Sequence, residues 1–330
     1  MSFETPRVSV LMASRNGERY LEAALASLAA QTLHQIEIIA VDDGSSDRTP
    51  EILEGFALDH GATRVLRTPG IGLAGALALA AAEARAELLA RHDDDDLSHP
   101  ERLERQARFL DEHRGIAVLG TATEIIGENG ERIGDYPIPL DPEAIRRAAR
   151  RVPPFVHGSV MMRREAYHAA GGYRAAFGAS QDLDLWFRLP EDAGLANLPE
   201  PLYRWRHHAA SMFGRARERQ LFFAAVAREF AAERREAGRD SYDALERDAD
   251  PEVFMATYVR AGRLRARLGE AYVREGRLAE ARRLLAGALA SPGARATAFG
   301  WWLLSWPVAL TPRAAHARAA ARARRAGGRA

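Results

Sequence analysis

Cysteine is absent from the 330 residues, which excludes disulfides, thiolate nucleophiles and cysteine-ligated zinc. Lysine is absent as well, so all 46 basic residues are arginines. That removes the phosphate-binding and Schiff-base lysines on which many enzymes depend. Charge of one sign is not in excess: 46 basic residues face 45 acidic ones, a net charge of +1, and no nucleic-acid partner is expected. Long apolar runs are missing too. None approaches the roughly 20 residues of a spanning helix, and the longest candidate, Phe299 to Leu310, contains Pro307. The N-terminal stretch MSFETPRVSVLMAS has no apolar core behind a positive segment, so no signal peptide is expected and the cytoplasm is the default location. What is present, 47% hydrophobic and 28% charged residues, is the composition of a folded chain.

The first hundred residues alternate short β-rich runs with helical patterns. Val8 to Met12 reads as a buried strand, followed by a polar turn, Ser14 to Gly17. Tyr20, Leu21, Ala24, Leu25 and Leu28 then recur at helical spacing within Glu18 to Ala30. Glu37 to Val41 is a second strand, stopping at Asp42-Asp43-Gly44-Ser45, and Asp47 with Pro50 marks the start of a helix over Thr49 to Asp59. Thr63 to Leu66 makes a third strand, Gly70 to Gly75 a glycine-rich turn, an alanine-rich helix runs to Ala84, and Glu87 to Arg91 makes a fourth strand. Such alternation predicts a mostly parallel sheet covered by helices, with ligands at the carboxyl ends of the strands. Further on, the pattern predicts a helix from Pro100 to His113, strands at Ile116 to Ile126 and Phe155 to Met162, a basic helix within Pro137 to Pro154, and a helix from Ser180 to Leu189. Beyond about Gly214 arginine- and alanine-rich helix continues to the end, which places domains at 1–214 and 215–330. Leu268-Gly269, Tyr272, Gly276, Ala281 and Leu285 resemble one tetratricopeptide-type hairpin.

Two acidic clusters fall at strand ends, after Val41 and after Arg91. In Asp93-Asp94-Asp95-Asp96 four successive carboxylates repel one another and call for a cation or neutralising neighbours. Alternate side chains of an extended segment share a side, so Asp93 and Asp95 can converge on one Mg²⁺ or Mn²⁺, which prefers oxygen ligands and keeps positions for substrate phosphates. The other reading of the run is a solvated turn ahead of a helix capped by Ser98.

Residues 8–49 (VSVLMASRNGERYLEAALASLAAQTLHQIEIIAVDDGSSDRT) and 90–106 (ARHDDDDLSHPERLERQ) resemble the family 2 glycosyltransferases, which have the GT-A fold, and the likeness extends over about residues 6–211. The resemblance implies an α/β domain with a Rossmann-like, mostly parallel sheet flanked by helices, followed here by the α-helical C-terminal region. It implies an inverting transfer of one sugar from a nucleoside-diphosphate sugar to a glycan or glycolipid acceptor, as in cell-surface polysaccharide synthesis. Asp43 would then contact the nucleobase, with Ser14 and Arg15 beside it and Arg15 stacking where an aromatic often stands. Asp42 would hold the turn. Asp95 would ligate the metal, with Asp93 near the ribose or a metal-bound water. In Ser180-Gln181-Asp182-Leu183-Asp184-Leu185-Trp186, which resembles the family's acidic motif, Asp182 would be the general base; the alternative is a helix cap. Gln181 stands where the family often has Glu. His157 would line the acceptor site, and Arg206 or His207 in Tyr203-Arg204-Trp205-Arg206-His207-His208 would reach the diphosphate or the metal. The Gln-x-x-Arg-Trp motif of processive synthases is missing.

A nucleotidyltransferase on a similar sheet would need a glycine-rich N-terminal loop and a catalytic lysine, and neither is here. The remaining alternative is a catalytically inactive GT-A domain that serves as a binding module. At the C-terminus, Trp301, Trp302 and Trp306 precede a tail whose charged residues are all arginines, from Arg313 to Arg329. Two readings fit residues 299–330: a packed terminal helix hairpin with a solvated tail, which is favoured, or peripheral docking at the inner membrane face.

Overall fold

A computed structural model describes residues 5–149, 153–190, 192–208 and 215–306. The chain divides into two compact units at Arg217/Glu218.

The first unit is built on strands β1 (Val8–Ser14), β2 (Ile36–Asp42), β3 (Thr63–Arg67) and β4 (Leu88–Arg91), all parallel, in the order β3-β2-β1-β4. Side chains alternate across the pleat. Val10, Met12, Ile38, Ala40 and Ala90 face α1 (Leu21–Ala29), α2 (Thr49–Asp59) and α4 (Arg102–Glu112). Leu11, Ala13, Ile39, Val41 and Leu89 face α3 (Leu73–Ala82). Because both faces are covered, these strands read as continuous apolar runs.

From β4 the sheet continues through β8 (Met161–Arg163), β6 (Ile116–Ile126), β9 (Gly194–Arg206) and the short β5 (Leu97–Ser98), with β7 (Arg132–Tyr136) on the outer part of β6. Of these added pairs only β6–β9 is parallel. The remaining helices are α5 (Pro142–Ala149), α6 (Arg164–Ala169) and α7 (Gln181–Arg188). This mixed α/β sheet with helices on its faces is the class expected from the sequence.

Three local expectations are corrected. The glycine turn after β3 ends at Gly72, and Gly75 already lies inside α3. Phe155 to Met162 is not one strand: His157–Ser159 forms a 3₁₀ turn and only Met161–Arg163 pairs. Gly158 passes so close to the Tyr203 hydroxyl that an added Cβ would sit 2.0 Å from it, so the chain bends there instead of pairing. Gly194–Arg206 is a long strand where the sequence suggested none. Pro199 and Pro201 hide it, and the register shifts against β6 around Thr121 to Thr123 accommodate them.

The second unit is helical: α8 (Arg215–Ala237), α9 (Tyr242–Arg247), α10 (Pro251–Thr257), α11 (Ala261–Arg274), α12 (Leu278–Leu289) and α13 (Arg295–Leu304). Phe222, Phe223, Phe230, Phe254 and Tyr258 form its aromatic core. The fully buried Glu229 accepts a 2.6 Å bond from Arg267, and Glu233 a 2.6 Å bond from the Tyr258 hydroxyl. α11 and α12 are joined through Gly276 (φ +78°), and Gly269 lies directly against Leu285. Among the described residues no helix is long and apolar enough to cross a membrane. Of the stretch 299–330, for which membrane docking is one reading, residues 307–330 lie outside the described residues.

Candidate active site

The carboxyl ends of β1, β2 and β4 carry Ser14, Asp42-Asp43 and the acidic run from Asp93. Strand order reverses between β1 and β4, so the loops that follow them part and leave a crevice, the usual ligand position in such sheets. The loops after β1 and β2 are laced together. Asn16 adopts a left-handed conformation (φ 56°), accepts from the Ser46 amide at 2.8 Å, and donates its own amide to the Ser45 hydroxyl at 3.0 Å. The Gly17 amide donates to Thr49 Oγ1 at 2.8 Å, the Glu18 amide donates to the Asp47 carboxylate, and the Glu18 carboxylate accepts from the Arg48 amide across the same seam.

Asp43 is buried and holds the next loop. Its Oδ1 accepts from the Thr68 hydroxyl (2.6 Å) and the Ile71 amide (2.7 Å), and its Oδ2 from the Gly72 amide (2.8 Å). A carboxylate has about four acceptor positions, so these bonds leave one on Oδ2. Asp42 accepts from the Ser45 amide at 3.1 Å, which closes the turn. The exposed Arg15 lies beside this loop, its Nη1 3.6 Å from where a Gly70 Cβ would stand.

The acidic run divides its work. Asp93 pairs with the buried guanidinium of Arg91, and its amide donates to the Tyr203 hydroxyl at 3.2 Å. Asp94, which the sequence reading passed over, accepts from the Ser14 hydroxyl, and Gly17 makes room for that contact. Burial, with the Asp95 charge second, pushes the Asp94 carboxyl up to about 7; the Ser14 bond opposes the shift and the Asp93 charge adds to it. The Asp95 carboxyl is also raised, by burial and then by Asp93, against a 2.9 Å contact to His208 Nε2 that favours its ionised form. Asp96 is fully buried and accepts from the Arg206 amide at 2.7 Å. Asp93 and Asp95 each keep 29% of their side chain exposed; Asp94 is half-buried as well, and only Asp96 of the run is buried.

Arg206 was expected at the diphosphate, yet its guanidinium is buried and donates to the carbonyls of Asp95, Gly127 and Glu128 while lying over the Tyr20 ring. His207 packs against Trp205, with ring centres 5.8 Å apart. The side chain that meets a carboxylate of the acidic run is His208, one position beyond those named from the sequence. The adjacent histidines gave no means of choosing between them; strand alternation does, because residues 206 and 208 share a side of β9's end.

Asp182 lies in the first turn of α7 and not at its cap. Ser180 holds the cap position with φ 52° and makes no side-chain cap bond. Leu183, Leu185 and Trp186 are buried, and Asp184 is tied to Arg188 at 2.8 Å, whereas Asp182 stays half-exposed. His157 Nε2 and the Tyr173 hydroxyl share a 2.8 Å hydrogen bond. Burial pushes the His157 pKa down, so the ring is neutral at pH 7, and both His157 and Tyr173 feel the charges of Asp182, Asp93 and Arg91. One electrostatic neighbourhood thus contains Asp182, His157, Tyr173 and the start of the acidic run. Tyr173 had no signal in the sequence.

Among the described residues no group of three or more acidic or histidine side chains is placed to hold a metal ion by itself. Two outward carboxylates that repel each other in partial burial do fit the mode in which Mg²⁺ or Mn²⁺ takes one or two protein oxygens and completes its shell with substrate phosphates and water.

Residues 9–171 match the family described as Glycosyl transferase family 2. The chain is 37% identical over 207 residues to the putative glycosyltransferase EpsE of Bacillus subtilis, a match covering 61% of this chain and 73% of EpsE. It is 32% identical over 203 residues to the amylovoran biosynthesis glycosyltransferase AmsE of Erwinia amylovora (60% and 75%) and 29% identical over 211 residues to the O-antigen biosynthesis glycosyltransferase WbnJ of Escherichia coli (62% and 81%). Among solved structures, S. aureus TarS 1–349 in complex with UDP-GlcNAc superposes with a TM-score of 0.58 at 18% identity, over 91% of this chain and 90% of that one, a likeness of fold.

Proposed function

From the premise that this chain belongs to glycosyl transferase family 2 and is a glycosyltransferase, we propose that it moves a single sugar from a nucleoside-diphosphate sugar to an acceptor hydroxyl, with inversion, in the synthesis of a cell-surface polysaccharide. The observation that supports this reading is the His157–Tyr173 pair, joined at 2.8 Å, which feels the charges of both Asp182 and Asp93, members of two acidic motifs far apart in sequence. The relatives named for amylovoran and O-antigen synthesis support the polysaccharide destination.

In this reading Asp43 accepts a base N–H at its remaining Oδ2 position, with Arg15 stacked alongside and Ser14 lining the pocket. Asp182 takes the acceptor proton as the acceptor oxygen bonds to the anomeric carbon. The bond from that carbon to the diphosphate breaks on the opposite face, which inverts the centre and releases the nucleoside diphosphate. Neutral His157, held by Tyr173, orients the acceptor hydroxyl. Asp95, with Asp93 alongside and His208 behind it, would hold a divalent cation such as Mg²⁺ or Mn²⁺, whose chemistry would be Lewis-acid neutralisation of the departing diphosphate.

A thermal-shift panel of UDP, GDP, dTDP and CMP with and without Mn²⁺ tests the site. One nucleotide should raise the melting temperature in a metal-dependent way, and Asp95→Ala should abolish the effect. No shift with any of them would instead favour a catalytically inactive binding module.

A further inference from the structure

The outer end of the sheet, where β7, β6 and β9 lie side by side, has two unlike faces. Residues opposite one another across a ladder share a face, and successive residues of a strand alternate between faces. The pairing sets Asp135, Glu124 and Arg204 in one row and Gly134, Ile125 and Trp205 in the next. The first row is charged: Glu124 meets Arg132 and Arg204 at 3.3 Å each, and Asp135 meets Arg132 at 2.7 Å. The second row shares its face with the row Tyr136, Thr123 and Tyr203, and neither contains Asp, Glu or Arg.

Where an antiparallel edge meets water its exposed face is ordinarily polar, yet this one presents rings. Tyr136 is 37% exposed and Trp205 is half-exposed. Their rings stand at 87° with centres 5.6 Å apart, so together they form a corner, and His207 extends it with its ring centre 5.8 Å from that of Trp205. The floor beside the corner is open: a Cβ on Gly134 would meet nothing within 4 Å among the described residues. Strand packing favours a β-branched side chain at such a position, and a glycine inside a strand marks a place where something else approaches the backbone.

The place of the corner in the fold indicates its ligand. Tyr203 lies in the same row as Tyr136, two strand spacings or about 10 Å away, and its hydroxyl accepts from the Asp93 amide. His208, which follows His207, meets Asp95. The corner is therefore continuous with the acidic run, at a separation that an oligosaccharide spans. A sugar ring is uncharged, and its C–H bonds carry the partial positive charge that lies well against the electron-rich face of an aromatic ring, while the polar tips of Tyr and Trp meet its hydroxyls. An anionic lipid or a charged peptide would call for charges that this face does not carry. We propose that Tyr136, Trp205 and His207, above the open Gly134 floor, bind a sugar unit of the acceptor glycan remote from the hydroxyl that receives the transferred sugar. That the glycan is the acceptor rests on the sugar-transfer reading; that the corner binds a glycan does not.

The test applies the full chain, detected through a terminal tag, to an array of bacterial O-antigen and capsular polysaccharide fragments graded in length from single sugars upward. At least one series should capture the chain, more strongly as its fragments lengthen. Trp205→Ala and Tyr136→Ala should each weaken binding of the captured fragment about tenfold in titration. Gly134→Val, which fills the floor with a side chain that strands favour, should weaken it as much while the melting temperature holds or rises, so that loss of fold cannot mimic the result. All three variants should keep the metal-dependent nucleotide shift. Capture of no fragment, or capture that none of the three variants alters, would overturn the proposal; with the nucleotide shift intact, the sugar-transfer reading would survive that failure. Capture lost in the variants of a chain that shows no nucleotide shift would uphold the glycan corner and sink the transfer reading. Concentration-dependent self-association that Gly134→Val abolishes, without glycan capture, would assign the face to a second copy of the chain instead.

Discussion

At the scale of single residues, the site depends on carboxylates whose surroundings set them different tasks. Asp182 is half-exposed on the first turn of a helix whose other side chains point inward, so Asp182→Asn should spare the fold and nucleotide binding. Turnover should fall by about 10²–10⁴-fold, the usual contribution of a general base, measured by release of the nucleoside diphosphate. The two neighbouring histidines separate in the same way. His208→Ala should weaken metal-dependent nucleotide binding by about 10- to 100-fold in titrations with Mn²⁺, because His208 orients Asp95. His207→Ala, a change at the Trp205 side, should leave that affinity nearly unchanged. Far from the site, Glu37 is 1% exposed. Burial pushes its pKa up, but bonds from the Ser9 hydroxyl and from the Arg85 amide and guanidinium outweigh burial and hold it below 4.5. A depressed folded-state pKa means stability that is complete above the unfolded value and lost as pH falls through the folded one. Glu37→Gln should therefore cost about 2 kcal/mol at pH 7 in denaturant melts, and the gap to the native chain should narrow as the pH falls below the ordinary 4.5 and through the depressed folded-state pKa.

At the scale of elements, two glycines show how backbone approach builds the molecule. Gly158 lets the 3₁₀ turn lie against Tyr203 and Asp93, where a Cβ would come within 2.0 and 2.6 Å. In the helical unit, Gly269 of α11 meets Leu285 of α12, and a Cβ there would stand 2.6 Å from the leucine Cγ. Gly269→Val should thus cost about 1–3 kcal/mol through overpacking, read as a lower melting temperature of the helical unit, even though valine and glycine differ little in helix propensity. β9 makes the complementary point. It begins beside Gly115 and ends at Arg206, so one strand links the sheet's added half to the acidic run.

At the scale of the whole molecule, each unit has a core of its own, which predicts separable behaviour. A chain ending after Arg217 should melt in one cooperative transition and keep its metal-dependent nucleotide shift, as measured by calorimetry and thermal shift. A chain ending at Tyr203 should lose both, because Arg206 and His208, the partners of Asp95 and Asp96, go with the end of β9.

Much of this was legible in the residues alone. Apolar runs at 8–12, 37–41 and 87–91 stand out because strands buried on both faces need no polar positions, and Asp43, Asp93 and Asp182 stand out because they fall at the ends of strands and at the start of a helix. The family resemblance lay in those same ordered segments. Tertiary structure alone decided which neighbour does what: that Asp94 meets Ser14, that Arg206 is spent on carbonyls while His208 takes Asp95, that Tyr173 stands behind His157, and that α13 turns Phe299 outward and Trp301 under an arginine. The physical reason is that local sequence sets periodicity and backbone preference, whereas which of two adjacent side chains meets a distant partner depends on register and packing between segments as much as 113 residues apart.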